Sequence, residues 1–129
     1  MRLPAECISA KIARDLVGAV AGAAGVDDDT AYIAKVATSE LVTNAARYAV
    51  PRSPVIVQIS RVCDLLHIEV EDTSTERPDF FRDPGRFAEN GYGLIVVSDI
   101  TDECGYRFTD SGKAVWFSLK TTWPMEPAA

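Results

Sequence analysis

The chain is poor in the residues that build metal and disulfide sites. Its 129 residues include three cysteines, Cys7, Cys63 and Cys104, and one histidine, His67. Cysteines so few and so far apart make no disulfide framework, and a single histidine does not complete a zinc-ligand set with them. They read most simply as small apolar residues, and the expectation is a reduced, cytoplasmic protein. No run approaches the ~20 apolar residues that cross a bilayer, and the segment from Met1 to Glu6 has no apolar leader core, so no membrane is expected as a partner. Basic residues are also scarce: 13 Lys and Arg face 19 Asp and Glu, a net charge of -6. They are scattered, which argues against direct nucleic-acid binding, because duplex affinity rests on clustered cations displacing counterions from phosphates. A nucleotide needs only a local cradle and is not argued against.

What is present is an ordinary globular composition, 47% hydrophobic and 25% charged. A chain of this size buries roughly two thirds of its unfolded surface as one domain. We expect that domain over residues 1–120 and a loose tail over 121–129. Ile8, Ile12, Leu16, Val17 and Val20 recur at helical spacing, with Ser9 as a candidate N-cap and Gly25 as a stop. Asp27, Asp28 and Asp29 open a longer second helix, where their charge suits the dipole, and it ends near Ala49 before Pro51. Val55 to Arg61 and Leu65 to Asp72 alternate and read as an antiparallel hairpin. Thr73 to Asn90 has no steady period, and a loop of that length in a compact domain is usually functional or mobile. A helix from Leu94 to Ile100 follows Gly91-Tyr92-Gly93. Strands near Gly105 to Thr109 and over Lys113 to Lys120 then pair across the turn Asp110-Ser111-Gly112. This order predicts an α+β, two-layer sandwich: a mixed, mainly antiparallel sheet with helices on one face.

Three places hold polar residues where that pattern calls for apolar ones, or glycines with a choice of roles. Placing Ile33 at the middle of the second helix's inward stripe, with Val36, Ala37 and Leu41 beside it, puts Glu40 and Asn44 near the centre on successive turns. A buried carboxylate needs a partner or a water-filled pocket. One such residue would suggest a structural pair, Glu40 with Arg47 or a lysine, but two in succession favour a pocket. In the second strand of the hairpin, Leu66, Ile68, Val70 and Asp72 share one face, so Asp72 either meets a ligand amino group or caps the next turn with Thr73 and Ser74. Gly91 and Gly93 either form a tight turn or let phosphate oxygens approach a helix N-terminus.

The run Ser39-Glu40-Leu41-Val42-Thr43-Asn44-Ala45-Ala46-Arg47-Tyr48-Ala49 closely resembles the N box of the Bergerat-fold (GHKL) ATPases. This superfamily includes DNA gyrase, MutL and the sensor histidine kinases. Within it the chain looks like the small anti-sigma factor serine/threonine kinases of the RsbW-like branch. Gly91-Tyr92-Gly93-Leu94-Ile95-Val96-Val97 and Gly112-Lys113-Ala114-Val115-Trp116-Phe117 are similar to its glycine box and closing strand.

The resemblance implies ATP and Mg as cofactors. It implies Asn44 as the Mg ligand, Glu40 as the general base and Asp72 as the acceptor for the adenine amino group. Arg47, Gly91, Tyr92, Gly93, Leu94 and Lys113 would complete the nucleotide contacts, and Arg82 or Arg86 in the Thr73 to Asn90 lid would neutralise the transferring phosphoryl group. The implied partners are a sigma factor and a STAS-like anti-sigma antagonist, with a homodimer left open. Asp72 is followed by Thr-Ser-Thr-Glu without the superfamily's usual glycines, and Ala114 stands where Thr or Ser is common. Both departures point to reduced nucleotide affinity, or to a binding module that acts by sequestering a protein partner.

Overall fold

Three residues of β3 and three of β5 face each other across the middle of the sheet and build its core. β3 (Leu65–Asp72) and β5 (Lys113–Lys120) run antiparallel with Leu66 opposite Leu119, Ile68 opposite Phe117 and Val70 opposite Val115. Each of these six side chains is buried, as period-two alternation on a helix-covered face requires. The computed structural model describes residues 1–78, 80 and 92–124. Around this central pair the sheet has the order β1-β2-β3-β5-β4, with β1 at Arg2–Pro4, β2 at Pro54–Val62 and β4 at Glu103–Phe108. Its four pairings are all antiparallel, so the mixed element of the expectation is absent from these five strands.

β1 was not foreseen. Three residues are too few to show alternation, and the strand exists because its backbone pairs with the start of β2, Leu3 opposite Val55. Its neighbour α1 (Ile8–Ala23) also differs from expectation. Cys7 is the N-cap residue and offers no side-chain bond, while Ser9 is buried inside the first turn and donates to Pro4 O at 2.6 Å. The buried side of α1 is made of small residues, Ala10, Ala13, Val17 and Ala21, and Ile8, Ile12 and Val20 point outward. Small residues win this face because α1 packs closely on α2: a methyl at Gly18 would lie 2.9 Å from Lys35 Cδ.

α2 (Asp28–Tyr48) starts as the acidic run predicts, Asp27 accepting the Thr30 N–H at 3.0 Å. It packs on α1, on α3 (Tyr92–Ile100) and across β2, β3 and β5. Ala34, Ala37, Leu41, Val42 and Ala45 form its buried stripe, and Leu94 and Val97 of α3 join the same core. The opposite face of the sheet carries half-buried polar and aromatic groups. There His67 Nδ1 and Ser118 Oγ lie 2.8 Å apart, and Arg107 donates to Glu69 at 2.9 Å. Of the tail, Thr121 to Pro124 lies against the molecule: Thr121 Oγ1 donates to Asp27 at 3.2 Å, Trp123 packs on the core, and Arg61 stands 4.6 Å over the Trp123 ring. Among the described residues no helix is long and apolar enough to cross a membrane.

The turn into β5 sits on the end of β3. A Cβ on Gly112 would overlap the carbonyl oxygen of Asp72 and crowd the Thr73 backbone at 2.7 Å. Backbone cannot yield as a flexible side chain can, so Gly112→Ala should cost at least the ~1–3 kcal/mol of an overpacked core. Urea denaturation of the variant against the parent measures it.

Candidate functional site

Glu40 and Asn44 follow from the register of α2. Leu41 and Ala45 point into the sheet and are buried; one residue earlier on a helix is 100° around the axis, which places Glu40 and Asn44 at the flank of the stripe. Both are half-buried. The expectation that they occupy its centre is therefore corrected: Ile33, taken as the middle, is itself only partly buried. That flank is the one beside α3. A methyl group on Gly93 would stand 2.8 Å from Glu40 Oε2, so the carboxylate rests in the space that this glycine leaves open. The first N–H groups of a helix have no partner within it and its dipole favours negative charge there, so Glu40 and the start of α3 form one polar corner, with Asn44 one turn further along α2. Among the described residues no basic side chain pairs with Glu40, and the structural pairing with Arg47 is not formed. Arg47 is exposed in the last turn of α2.

Asp72 ends β3 on the same face as Leu66, Ile68 and Val70, and the β3–β5 register places Lys113 directly opposite it. The Lys113 ammonium donates to both carboxylate oxygens, at 3.1 and 3.2 Å. Only 1% of the Asp72 side chain and 2% of the Lys113 side chain are exposed. The Ser74 N–H donates to Asp72 Oδ1 at 2.7 Å, so the turn-capping role weighed for Asp72 is present as well. Burial pushes the Asp72 carboxyl above its ordinary pKa, while the Lys113 ammonium and the Ser74 N–H pull it the other way. The ion pair was missed in the sequence although a signal existed. Alternation puts Lys113 on the face of Val115, Phe117 and Leu119, as it puts Asp72 on that of Val70, but only the adjacency of β3 and β5 joins the two.

The segment after β3 is held at its start. Thr73 Oγ1 donates to Ser53 Oγ at 3.0 Å and the Glu76 N–H to Ser74 Oγ at 3.1 Å, and Phe80 is buried in the core. Arg82, Arg86, Phe81 and Gly91 lie outside the described residues. Tyr92 begins α3, and the Leu94 side chain is committed to the core, which leaves its backbone for any ligand.

A family model for the histidine kinase-like ATPase domain matches residues 3–119. The chain belongs to this family. Among solved structures, the mycobacterial sensor histidine kinase MprB is similar, with 20% identity, a TM-score of 0.51, and coverage of 73% of this chain and 76% of that one. That likeness supports the shared α+β fold. A comparison with curated proteins finds no match.

Membership of the histidine kinase-like ATPase domain family carries ATP binding with it, with magnesium as the usual companion. The polar corner of α2 and α3 suits the phosphate end. Among the described residues no group of three or more His, Cys, Asp or Glu is placed to hold a metal. Magnesium would therefore rely on the Asn44 amide oxygen together with phosphate and water oxygens, as this hard ion commonly does. The base end fits less well, since the carboxylate of Asp72 is already bonded to Lys113.

The pair also has a stability consequence. Asp72→Asn leaves a buried ammonium beside a neutral amide and should cost about 3–5 kcal/mol, whereas Asp72→Asn combined with Lys113→Met should recover most of it. Chemical denaturation of the two variants and the parent tests this.

Proposed function

We propose that this domain is an ATP-dependent serine/threonine protein kinase of the anti-sigma type. It would transfer the γ-phosphoryl group to a hydroxyl on a STAS-like antagonist and restrain a sigma factor through surface contacts. The observation that carries the reading is the placing of Glu40 and Asn44 on successive turns of α2, with the Glu40 carboxylate against Gly93 at the start of α3. Glu40 is half-buried, open enough to receive a substrate hydroxyl and sheltered enough to hold its orientation. In this proposal it accepts the hydroxyl proton as the nucleophile attacks. Asn44 holds magnesium through its amide oxygen, the N-terminus of α3 receives phosphate oxygens, and Asp72 accepts from the adenine amino group. Magnesium, when bound with ATP, offsets phosphate charge. Arg82 or Arg86 of the lid neutralises charge on the transferring group.

A protein as partner is supported by two features. The net charge of -6 disfavours polyanions. The outward side chains Ile8, Ile12 and Val20 on α1 form an apolar ridge of the kind partners cover. A second reading, a binding module that acts by sequestering its partner, is favoured by the Asp72–Lys113 pair, which satisfies the base acceptor without any ligand.

Incubation with Mg-ATP and the cognate antagonist should yield a phosphoserine or phosphothreonine peptide by mass spectrometry. Glu40→Ala should lower the transfer rate by ~100-fold or more. It should keep the thermal stabilisation by nucleotide, about 2.7 kcal/mol when the ligand stands at ~100 times its dissociation constant. Transfer that survives Glu40→Ala removes Glu40 as the base, and stabilisation without any transfer favours the binding module.

Gly93→Ala makes a finer test of the same corner. The added methyl crowds the end of the flexible Glu40 side chain and meets the rest of it at ordinary contact distance, so stability should change by less than about 1 kcal/mol while transfer falls ~10-fold or more, since small misplacements of a catalytic group are costly. Parallel kinetics and denaturation separate the two effects.

A further inference from the structure

Lys113 is a cation almost cut off from water, and the proposed phosphoryl transfer makes no use of its position. Both of its hydrogen bonds go to Asp72, at 3.1 and 3.2 Å, and both side chains are sealed, with 2% and 1% exposed. With the Ser74 N–H also on Oδ1, the carboxylate accepts three bonds, and the one remaining lone-pair site is enclosed. The exocyclic amino group of a purine is an N–H donor of the same kind as the ammonium. It is neutral, however, and lacks the full positive charge whose Coulomb attraction, strong at a site this dry, adds to the ammonium's bonds with the carboxylate. A purine amino group therefore cannot take Asp72 while Lys113 remains on it.

We infer that Lys113 is an internal competitor for the nucleotide base: it closes the base subsite in the ligand-free chain and must leave Asp72 before a purine can dock. The inference rests on the reading of Asp72 as the base acceptor. The route of opening follows from the neighbouring backbone. Gly112 lies directly against the main chain of Asp72 and Thr73, and β5 is in register with β3 along its whole length, so the strands do not part at this end. Opening is a swing of the Lys113 side chain about its own torsions, with the backbone in place. Nucleotide affinity is then multiplied by the small fraction of molecules in which the swing has occurred, and so lowered. The family resemblance alone did not anticipate this, because it places Lys113 among the nucleotide contacts.

Calorimetric titration with Mg-ATP of the full chain and of Lys113→Ala and Lys113→Gln tests the inference, with circular dichroism as the control for folding. The glutamine retains an N–H donor toward Asp72 and guards against loss of the fold in the alanine variant. Both variants should bind ATP about tenfold or more tightly than the parent. Folded variants that bind no more tightly than the parent overturn it. If the parent and both folded variants all fail to bind ATP, the ATP reading itself falls, and this inference with it.

A second measurement needs no variant. Acetylation of the parent by acetic anhydride, read by mass spectrometry, should show Lys113 protected relative to Lys11, Lys35 and Lys120. It should become reactive when Mg-ATP saturates the protein. Protection unchanged at saturating ATP overturns the inference.

Discussion

The antiparallel register of β3 on β5 is the constraint from which the rest of the molecule follows. One sequence of cross-strand pairs runs Leu66 with Leu119, Ile68 with Phe117, Val70 with Val115, and finally Asp72 with Lys113. The first three are apolar and supply the middle of the core on which α2 lies. The fourth continues the same face past the point where hydrophobic cover can be useful, and there the chain has exchanged dispersion for charge. A shift of one residue would turn the whole row to the other side of the sheet and lose core and ion pair together. Burying two opposite charges side by side is tolerable only because each satisfies the other, with the Ser74 N–H as a third contributor.

The other chemical feature obeys a different rule. Glu40 and Asn44 flank the buried stripe of α2 and keep contact with water, so their desolvation is partial and Glu40 needs no buried counter-ion. What makes room for the Glu40 carboxylate is the absence of a side chain on Gly93, which lets α3 start close to it. The two ends of the candidate site thus differ in physical character. At the corner of α2 and α3 an acid and an amide are held ready and unpaired by any base among the described residues. At the end of β3 an acid is held in a closed pair.

Among the described residues the helices pack on one face of the sheet, and the other face mixes polar and aromatic groups. His67 shows how such a face is satisfied: it stands near Ser118 Oγ and Glu69, and its ring lies 5.4 Å from that of Trp116. His67 lies on the face opposite Ile68 and Val70, and hydrogen bonding and stacking leave it half-buried.

Much of the fold was legible because strong patterns are local. The bounds of β3 and β5 follow from alternation, and the start of α2 follows from an acidic N-cap and its turn. Membership of the histidine kinase-like ATPase domain family was likewise legible in the run from Ser39 to Ala49, a contiguous stretch whose residue types need no partner to be recognised. β1 was not legible, since three residues carry no period, nor was the role of Ser9, whose partner is the carbonyl of Pro4. Helical spacing put Glu40 and Asn44 on successive turns, but it gives angles between residues and no bearing on the sheet, so their place at the flank came from packing. The Asp72–Lys113 pair joins residues 41 positions apart. Each alone was visible as a charge ending an apolar row. That the two charges meet was decided by the strand order of the sheet, because it is long-range backbone pairing, set by the burial of all the apolar rows at once, that brings β3 and β5 side by side.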